Sequence, residues 1–286
     1  MPHGTNPTIM DGAALARRLL EETAARALRF EARVGRPPCL TAILVGEDPA
    51  SMTYVRMKRA RCRDAGLDSR LVQLQATSTT AEVVRIVRAL SEDPNVDGIL
   101  LQHPVPRHVD EREAFEAIAP AKDVDGVTAR SFAAMALGLP GFSPCTPAGI
   151  MRLLDEYGVQ PEGMHAVVIG RSPILGKPVG MLLLARDATV TYCHSHTRDL
   201  PSIVRNADIV VAAVGHPNLV AGSWLKPASV VIDAGYYPGG VGDVNTEEAL
   251  ATVGLIAPVP GGVGPMTIAM LLSQTVDAAE RRAGTG

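Results

Sequence analysis

Tyr54 and Lys58 are the residues whose types and spacing first suggest chemistry in this chain. They stand four positions apart in Tyr54-Val55-Arg56-Met57-Lys58, so on a helix both side chains share one face. Lys58 is one of four lysines among 27 basic residues, all the others being arginine. A solvated surface cation can be either residue. Only lysine can shed its proton near neutral pH once water is stripped from it, and arginine effectively cannot. A phenol beside such an amine can relay or tune a proton. An exposed amphipathic helix with a chance Tyr/Lys pair fits the same residues, and the pair alone does not decide between the two.

Such side chains need elements to position them, and the apolar pattern supplies these. Residues 11–33 carry Ala, Leu and Arg at helical spacing. Cys39-Leu40-Thr41-Ala42-Ile43-Leu44-Val45 is a short, partly β-branched apolar run closed by Gly46, which predicts a buried parallel strand. Asp48-Pro49-Ala50-Ser51 opens a helix with proline in its first turn, and Gly66 ends it. A strand over 70–75, a helix over 79–90 capped by Thr79 or Thr80, and a strand over 96–102 follow, the last stopping abruptly at His103-Pro104-Val105-Pro106. This β-α-β-α-β order is that of an open, mainly parallel sheet, whose ligands sit beyond the carboxyl ends of its strands. Gln102 lies at one such end, and the Tyr54/Lys58 helix follows another.

A second alternating series begins after a Gly- and Pro-rich linker at residues 138–147. Thr146-Pro147 opens a helix to about Tyr157. Strands are expected over 165–170, 189–193, 209–214 and 229–233, and helices over 175–184 and 200–204. The last segment, 268–282, reads as a strongly apolar helix that packs back on the first domain. No internal repeat or low-complexity stretch interrupts this plan.

Gly170-Arg171-Ser172-Pro173-Ile174-Leu175-Gly176 follows a strand and precedes a helix. The G-x-G-x-x-G fingerprint is absent, so the context carries more than the motif. A glycine at a strand end lets backbone approach a ligand, and the helix start after it offers free N–H groups to phosphate; a tight turn without a ligand is the alternative. Where an NAD site places Asp or Glu, at the end of the next strand, this chain has Cys193-His194-Ser195-His196-Thr197. A hydroxyl, histidines and Arg171 suit a 2′-phosphate, which favours NADP. His194 and His196 do not form a metal pair, since their spacing comes with no nearby carboxylate or cysteine cluster.

The bulk numbers exclude several classes. A length of 286 residues allows two modest domains, and 47% hydrophobic with 20% charged residues describes an ordinary globular protein. A net charge of −3 and 3% aromatic content argue against nucleic-acid binding. Residues 1–7 lack the basic-then-apolar pattern of a signal peptide, residues 9–28 read as an amphipathic helix, and no apolar run reaches membrane-spanning length. Cys39, Cys62, Cys145 and Cys193 have no CxxC spacing, so no metal site or disulfide framework is expected. Reduced thiols in a cytoplasmic protein are the simpler reading.

Taken in order, these motifs resemble the bifunctional methylenetetrahydrofolate dehydrogenase/methenyltetrahydrofolate cyclohydrolase family over almost the whole chain. The resemblance is carried by Asp48-Pro49-Ala50-Ser51 with Tyr54 to Lys58, by Gly98-Ile99-Leu100-Leu101-Gln102-His103-Pro104-Val105-Pro106, and by Lys122-Asp123-Val124-Asp125-Gly126. Further on it is carried by Pro144-Cys145-Thr146-Pro147, Gly170-Arg171-Ser172, Cys193-His194-Ser195 and, most strongly, Pro258-Val259-Pro260-Gly261-Gly262-Val263-Gly264-Pro265-Met266-Thr267. It implies an α/β fold of two domains: a folate-binding domain over 1–144 with 268–286 returning to it, and a Rossmann-like NADP-binding domain over 145–267. It also implies a homodimer, with no nucleic-acid or membrane partner.

The implied activity is oxidation of 5,10-methylenetetrahydrofolate with NADP, then hydrolysis of the methenyl product to 10-formyltetrahydrofolate, in one cleft. The residue matching the family's main hydrolytic group is Lys58; Gln102 tunes it, Tyr54 orients substrate, and Asp125 anchors the pterin. Leu101, His103, Pro260, Gly261, Gly262, Val263 and Gly264 match the folate pocket, and Gly170, Arg171, Ser172, Ser195 and Tyr236 match cofactor contacts. This sequence departs from the family at His103, Ala257, His196 and Tyr236-Tyr237, the first being usually aliphatic and the third usually basic. Two other readings are a dehydrogenase without the hydrolytic step, which retention of Lys58 opposes, and a non-catalytic NADP sensor, which gives Lys58, Gln102 and Asp125 no use.

Overall fold

Among the described residues the pairings between named strands are all parallel, as expected of a chain in which helices alternate with strands. The computed structural model describes residues 7–237 and 239–284. Residues 1–6, over which no signal peptide is expected, lie outside the described residues. In chain order the elements are β1 (Thr8–Ile9), α1 (Gly12–Val34), β2 (Cys39–Val45), α2 (Pro49–Asp64), β3 (Asp68–Leu74), α3 (Thr80–Glu92), β4 (Gly98–Leu101), α4 (Glu111–Glu116) and α5 (Ala129–Ala136). Then come α6 (Cys145–Glu156), β5 (His165–Ile169), α7 (Gly176–Leu184), β6 (Thr189–Cys193), α8 (Leu200–Val204), β7 (Ile209–Ala212), β8 (Val230–Asp233), α9 (Thr246–Ala249), β9 (Leu255–Ala257) and α10 (Val263–Arg282).

The chain divides into two compact units, one of Arg17–Cys145 with Ile268–Gly286 and the other of Met1–Ala16 with Thr146–Thr267. The first unit, called catalytic below, is built on a sheet of order β3-β2-β4. All seven residues of β2 are buried, which is why that strand reads as an unbroken apolar run. Leu40, Ala42 and Leu44 of β2 pack with Val55 and Cys62 of α2 and with Ile268, Leu271, Leu272 and Val276 of α10. Each such side chain contributes roughly 1.5–3 kcal/mol on leaving water, so the apolar stripe of α10 suffices to hold this segment to the unit. Local chemistry sets the helix ends. Asp48 caps α2 by accepting from Ser51 N–H (2.8 Å), and Gly66, at φ +70°, takes the chain out of it. Thr79 and Glu82 close a capping box on α3. Helices α4 and α5 are too short to show a clear apolar period; their starts are nonetheless marked by the caps Asp110 and Thr128.

The second unit carries a six-stranded sheet of order β1-β9-β8-β7-β5-β6 among the described residues. Its core joins Val167 and Ile169 of β5, Val210 and Ala212 of β7, Val231 of β8 and Ile256 of β9 to Val204 and Ala249. The expected boundary needs correction here. Residues 7–16 belong to this unit and not to the first, because β1 pairs with β9: Thr8 N–H donates to Gly254 C=O at 2.9 Å and Met10 N–H to Ile256 C=O at 2.7 Å. Residues 9–28 therefore do not form one helix. A two-residue strand carries no periodicity that could separate it from the helix that follows.

Candidate active site

In the sheet of the catalytic unit, β3 and β4 lie on opposite sides of β2. The connections leaving the carboxyl ends of β2 and β4 therefore diverge, which opens a crevice at that edge. Helix α2 follows β2 and brings Lys58 on its third turn. Gln102 follows β4 directly and is held in line by its N–H bond to Ile43 C=O (2.9 Å). Asp125 sits just beyond a 3₁₀ turn over Pro120–Lys122.

These side chains converge. The Lys58 Nζ donates to Gln102 Oε1 at 3.2 Å and lies over the Tyr54 ring, 4.5 Å from its centroid. Gln102 Nε2 donates to His103 C=O at 2.8 Å, which settles which end of the amide faces the amine. Lys58 is 7% exposed and Gln102 8%. Burial lowers the Lys58 pKa from the ordinary lysine range, and the carboxylate of Asp125 opposes it less strongly. The ring face also favours the cation, by roughly 0.5–2 kcal/mol, whereas the loss of water around the amine, the largest cause acting on it, disfavours the charge. Burial wins. The amine meets Tyr54 through the π face, so the contact speaks for an electrostatic and packing role of that ring more than for the proton relay its phenol suggested.

Within Lys122-Asp123-Val124-Asp125-Gly126 the structure separates scaffold from site. Lys122 donates to Leu90 C=O (3.0 Å) and Asp93 C=O (2.6 Å), closing the end of α3. Asp123 accepts from Val127 N–H, Thr128 N–H (both 3.0 Å) and Ser131 Oγ (2.5 Å). Asp125 is half-buried and is the carboxylate that faces Lys58 and His103. Burial raises its pKa, and the neighbouring Lys58 and His103 side chains oppose that rise less strongly.

Two further residues stand at this place, Cys145, known from the sequence only as part of a motif, and Gln274, which the sequence did not mark. The Cys145 thiol donates to Val124 C=O (3.2 Å) and neighbours Asp125; burial, then that carboxylate, push its pKa well above the ordinary thiol value. Gln274 of α10 donates from Nε2 to Val124 C=O (2.7 Å) and Ser143 C=O (3.1 Å), bracing the turn that presents Asp125. A glutamine amid the apolar stripe of a helix is the one signal that could have found it. His103 stacks edge-on against Phe115 with centroids 5.9 Å apart. Leu101 is 1% exposed, so its side chain faces the interior of the unit.

The other unit holds the remaining expected residues. Its order β6-β5-β7 reverses at β5, and Gly170 closes β5 at φ +129°. A Cβ there would collide with the C=O oxygen of Ala213, so only glycine fits where this turn packs against the end of β7. The expectation of free N–H groups at the start of α7 is corrected. Ser172 Oγ accepts from Leu175 and Gly176 N–H (both 3.2 Å), and Ser172 C=O accepts from Lys177 N–H (3.0 Å). Ser172 folds over the helix start and takes those donors for itself.

Arg171, Ser195 and Tyr236 are exposed, Tyr236 at 79%. The loop after β6 is tied within itself by His194 N–H to Thr197 Oγ1 (2.8 Å) and His196 N–H to His194 Nδ1 (3.1 Å). With a bare glycine at the turn, an exposed arginine and no carboxylate at the end of β6, these residues fit a dinucleotide bearing a 2′-phosphate. Of the loop expected to line the folate pocket, Pro260 and Gly264 are exposed, Gly262 and Val263 buried, and Gly261 accepts from Ala13 N–H (2.9 Å). Among the described residues no group of three or more His, Cys, Asp or Glu could hold a metal ion, and no helix is long and apolar enough to cross a membrane.

Two family models cover the chain: tetrahydrofolate dehydrogenase/cyclohydrolase, catalytic domain, over residues 10–125, and the NAD(P)-binding domain of the same family over 144–283. Bifunctional protein FolD 1 of Streptomyces avermitilis is 65% identical over 276 residues, covering 96% of each chain. Its namesake in Salinispora arenicola is 64% identical over 274 residues, covering 96% of this chain and 98% of its own. Among solved structures, the bifunctional enzyme FolD, methylenetetrahydrofolate dehydrogenase/cyclohydrolase, of Campylobacter jejuni matches with a TM-score of 0.94 at 41% identity, over 96% of this chain and 99% of that one. The FolD of Trypanosoma brucei, complexed with NADP cofactor and inhibitor, matches with a TM-score of 0.93 at 37% identity, over 98% and 99%.

Proposed function

The chain belongs to the tetrahydrofolate dehydrogenase/cyclohydrolase family, and we propose that Lys58, Gln102 and Asp125 carry the hydrolytic half of its chemistry. The protein oxidises 5,10-methylenetetrahydrofolate to the 5,10-methenyl cation with NADP and hydrolyses that product to 10-formyltetrahydrofolate. NADP, when bound, accepts the hydride. Gly170, Arg171, Ser172, Ser195 and Tyr236 would hold it, the arginine facing the 2′-phosphate. Hydride transfer asks no acid or base of the carbon, only placement of two rings.

Hydrolysis does need proton traffic. Water adds to the amidinium carbon and loses a proton; the carbon–nitrogen bond of the five-membered ring then breaks as the formyl C=O forms. One proton of the water ends on the departing nitrogen and the other is released. A permanent cation beside the methenyl cation would oppose this, whereas a neutral amine can take the proton from water. The observation that carries the assignment is the Lys58 Nζ, buried and bonded to the uncharged Gln102 Oε1 at 3.2 Å. Gln102 points the amine without adding charge. Asp125 can accept paired hydrogen bonds from the amino and ring N–H groups of a pterin, which a lone hydroxyl cannot. The Tyr54 ring packs beside the amine and orients the substrate.

The test follows the methenyl chromophore. Lys58→Met is expected to slow its enzymatic hydrolysis by a factor on the order of 100 or more, with NADP binding unchanged; unchanged hydrolysis refutes the assignment. Because burial favours the uncharged amine, the wild-type rate, corrected for the uncatalysed reaction, rises with pH as the remaining ammonium deprotonates. That rise should vanish in Lys58→Met. The same reading places the protein in the cytoplasm as a homodimer. Four free, buried cysteines suit a reducing compartment, and sedimentation at micromolar concentration checks the dimer.

A further inference from the structure

We propose that Asp243 is a positioning residue for the dinucleotide site, a buried carboxylate that sets the wall standing opposite Gly170. This rests on the reading that the Gly170 turn receives NADP. The wall begins at Ala213, whose N–H bonds Ile169 C=O at 2.8 Å and whose own C=O forbids any side chain at Gly170. Its next three residues leave the carboxyl end of β7 at the point where strand order reverses, the place where open parallel sheets receive their ligands. No regular structure holds them.

Asp243 does. Its Oδ2 accepts from Val214 N–H (2.6 Å) and Gly215 N–H (3.1 Å), and its Oδ1 from His216 N–H (2.7 Å). The carboxylate is 1% exposed and is itself fixed from behind. Asp243 N–H donates to Asp233 Oδ1 at 2.9 Å, and Asp243 C=O accepts from Val220 N–H at 2.9 Å. Asp233, at the end of β8 and fully buried, also accepts from Gly235 N–H (3.0 Å) and Val244 N–H (2.9 Å). A Cβ on Gly235 would strike the Asp243 carboxylate, and one on Gly242 the Asp233 carboxylate. The two acids therefore lock the loop after β7, the loop after β8 and residues 242–244 into one block. Tyr236 projects from that block directly after Gly235.

Burying two adjacent carboxylates whose hydrogen-bond partners are backbone N–H groups is a costly way merely to brace a turn. What it provides is a fixed backbone course over residues 214–216, directly after the Ala213 C=O that abuts Gly170, and pre-organisation of that kind raises the affinity of a rigid ligand. Only backbone approaches the ligand from Asp243, so its effect is indirect.

Asp243→Asn keeps the shape but turns one acceptor oxygen into an NH₂ group, leaving at least one of the three N–H groups without a partner. In the purified full-length protein, the NADP dissociation constant measured by calorimetry is expected to rise roughly tenfold, and the dehydrogenase KM for NADP with it. The KM for methylenetetrahydrofolate and the hydrolysis of methenyltetrahydrofolate stay at wild-type values, while amides 214–216 of the cofactor-free protein exchange hydrogen faster. Wild-type NADP affinity despite faster exchange overturns the inference, because Asp243 is then a brace without effect on the ligand. Parallel loss of both activities overturns it too, as the mark of a general structural role. Asp243→Glu, which keeps the charge and moves it by one methylene, carries the same test should the asparagine variant not fold. If the wild-type protein bound NADP but Gly170→Ala bound it equally well, the cofactor reading itself would be at fault.

Discussion

The crevice between β2 and β4 is furnished with side chains, and that between β5 and β7 with backbone. In the catalytic unit, an amine, an amide and a carboxylate are drawn out of water, where proton affinities shift most. In the nucleotide unit the strand ends carry a bare glycine and a stretch of backbone whose N–H groups are tied back to a buried acid. Both sheets reverse strand order at the crevice, so topology alone does not distinguish them. The difference follows the chemistry each has to do. A step that moves protons needs titratable groups in a dry setting, whereas a step that passes a hydride needs two rings held still.

Replacing one charged residue in each kind of surroundings is the most direct way to break this contrast. Asp125→Ala removes the half-buried carboxylate beside Lys58, and folate binding should weaken by about 10–100-fold, with NADP binding little changed in calorimetry. Equal loss of both would point to a folding defect. On the nucleotide side, the exposed Arg171 is expected to act through charge on the 2′-phosphate. Arg171→Ala should cost about tenfold in NADP affinity and much less in NAD affinity; a uniform loss removes it from 2′-phosphate recognition. The smallest effect is expected at the brace behind Asp125. Gln274→Met keeps much of the volume but silences two donations, so a urea titration should show about 1–3 kcal/mol less stability, together with a rise in folate KM smaller than that of Asp125→Ala. Unaltered stability and KM would show that the Val124 turn holds without it.

The departures from the family sort along the same line. His103 lies in the catalytic crevice, packed on Phe115, and Ala257 is buried at the end of β9. Tyr236 and Tyr237 project from the nucleotide unit, as does His196, which is engaged through its backbone. None of these replaces Lys58, Gln102 or Asp125.

What the amino-acid order determined by itself was whatever is encoded locally. β2 and β5 are legible as apolar runs because burial on both faces leaves no polar alternation, and α2 and α3 because Asp48 and Thr79 mark their starts. Tyr54 and Lys58 share a face because helical geometry requires it. The motif resemblance then pointed to the reaction. Only the tertiary structure decided that Lys58 is dry and that its partner is the oxygen end of Gln102, 44 positions away. The same holds for the transfer of Thr8–Ile9 to the sheet of the other unit, for the capture of the α7 donors by Ser172, and for Gln274 and Asp243 standing behind loops far from them in sequence. Desolvation and hydrogen bonding act between groups close in space, and residues distant along the chain meet only once the sheets have formed.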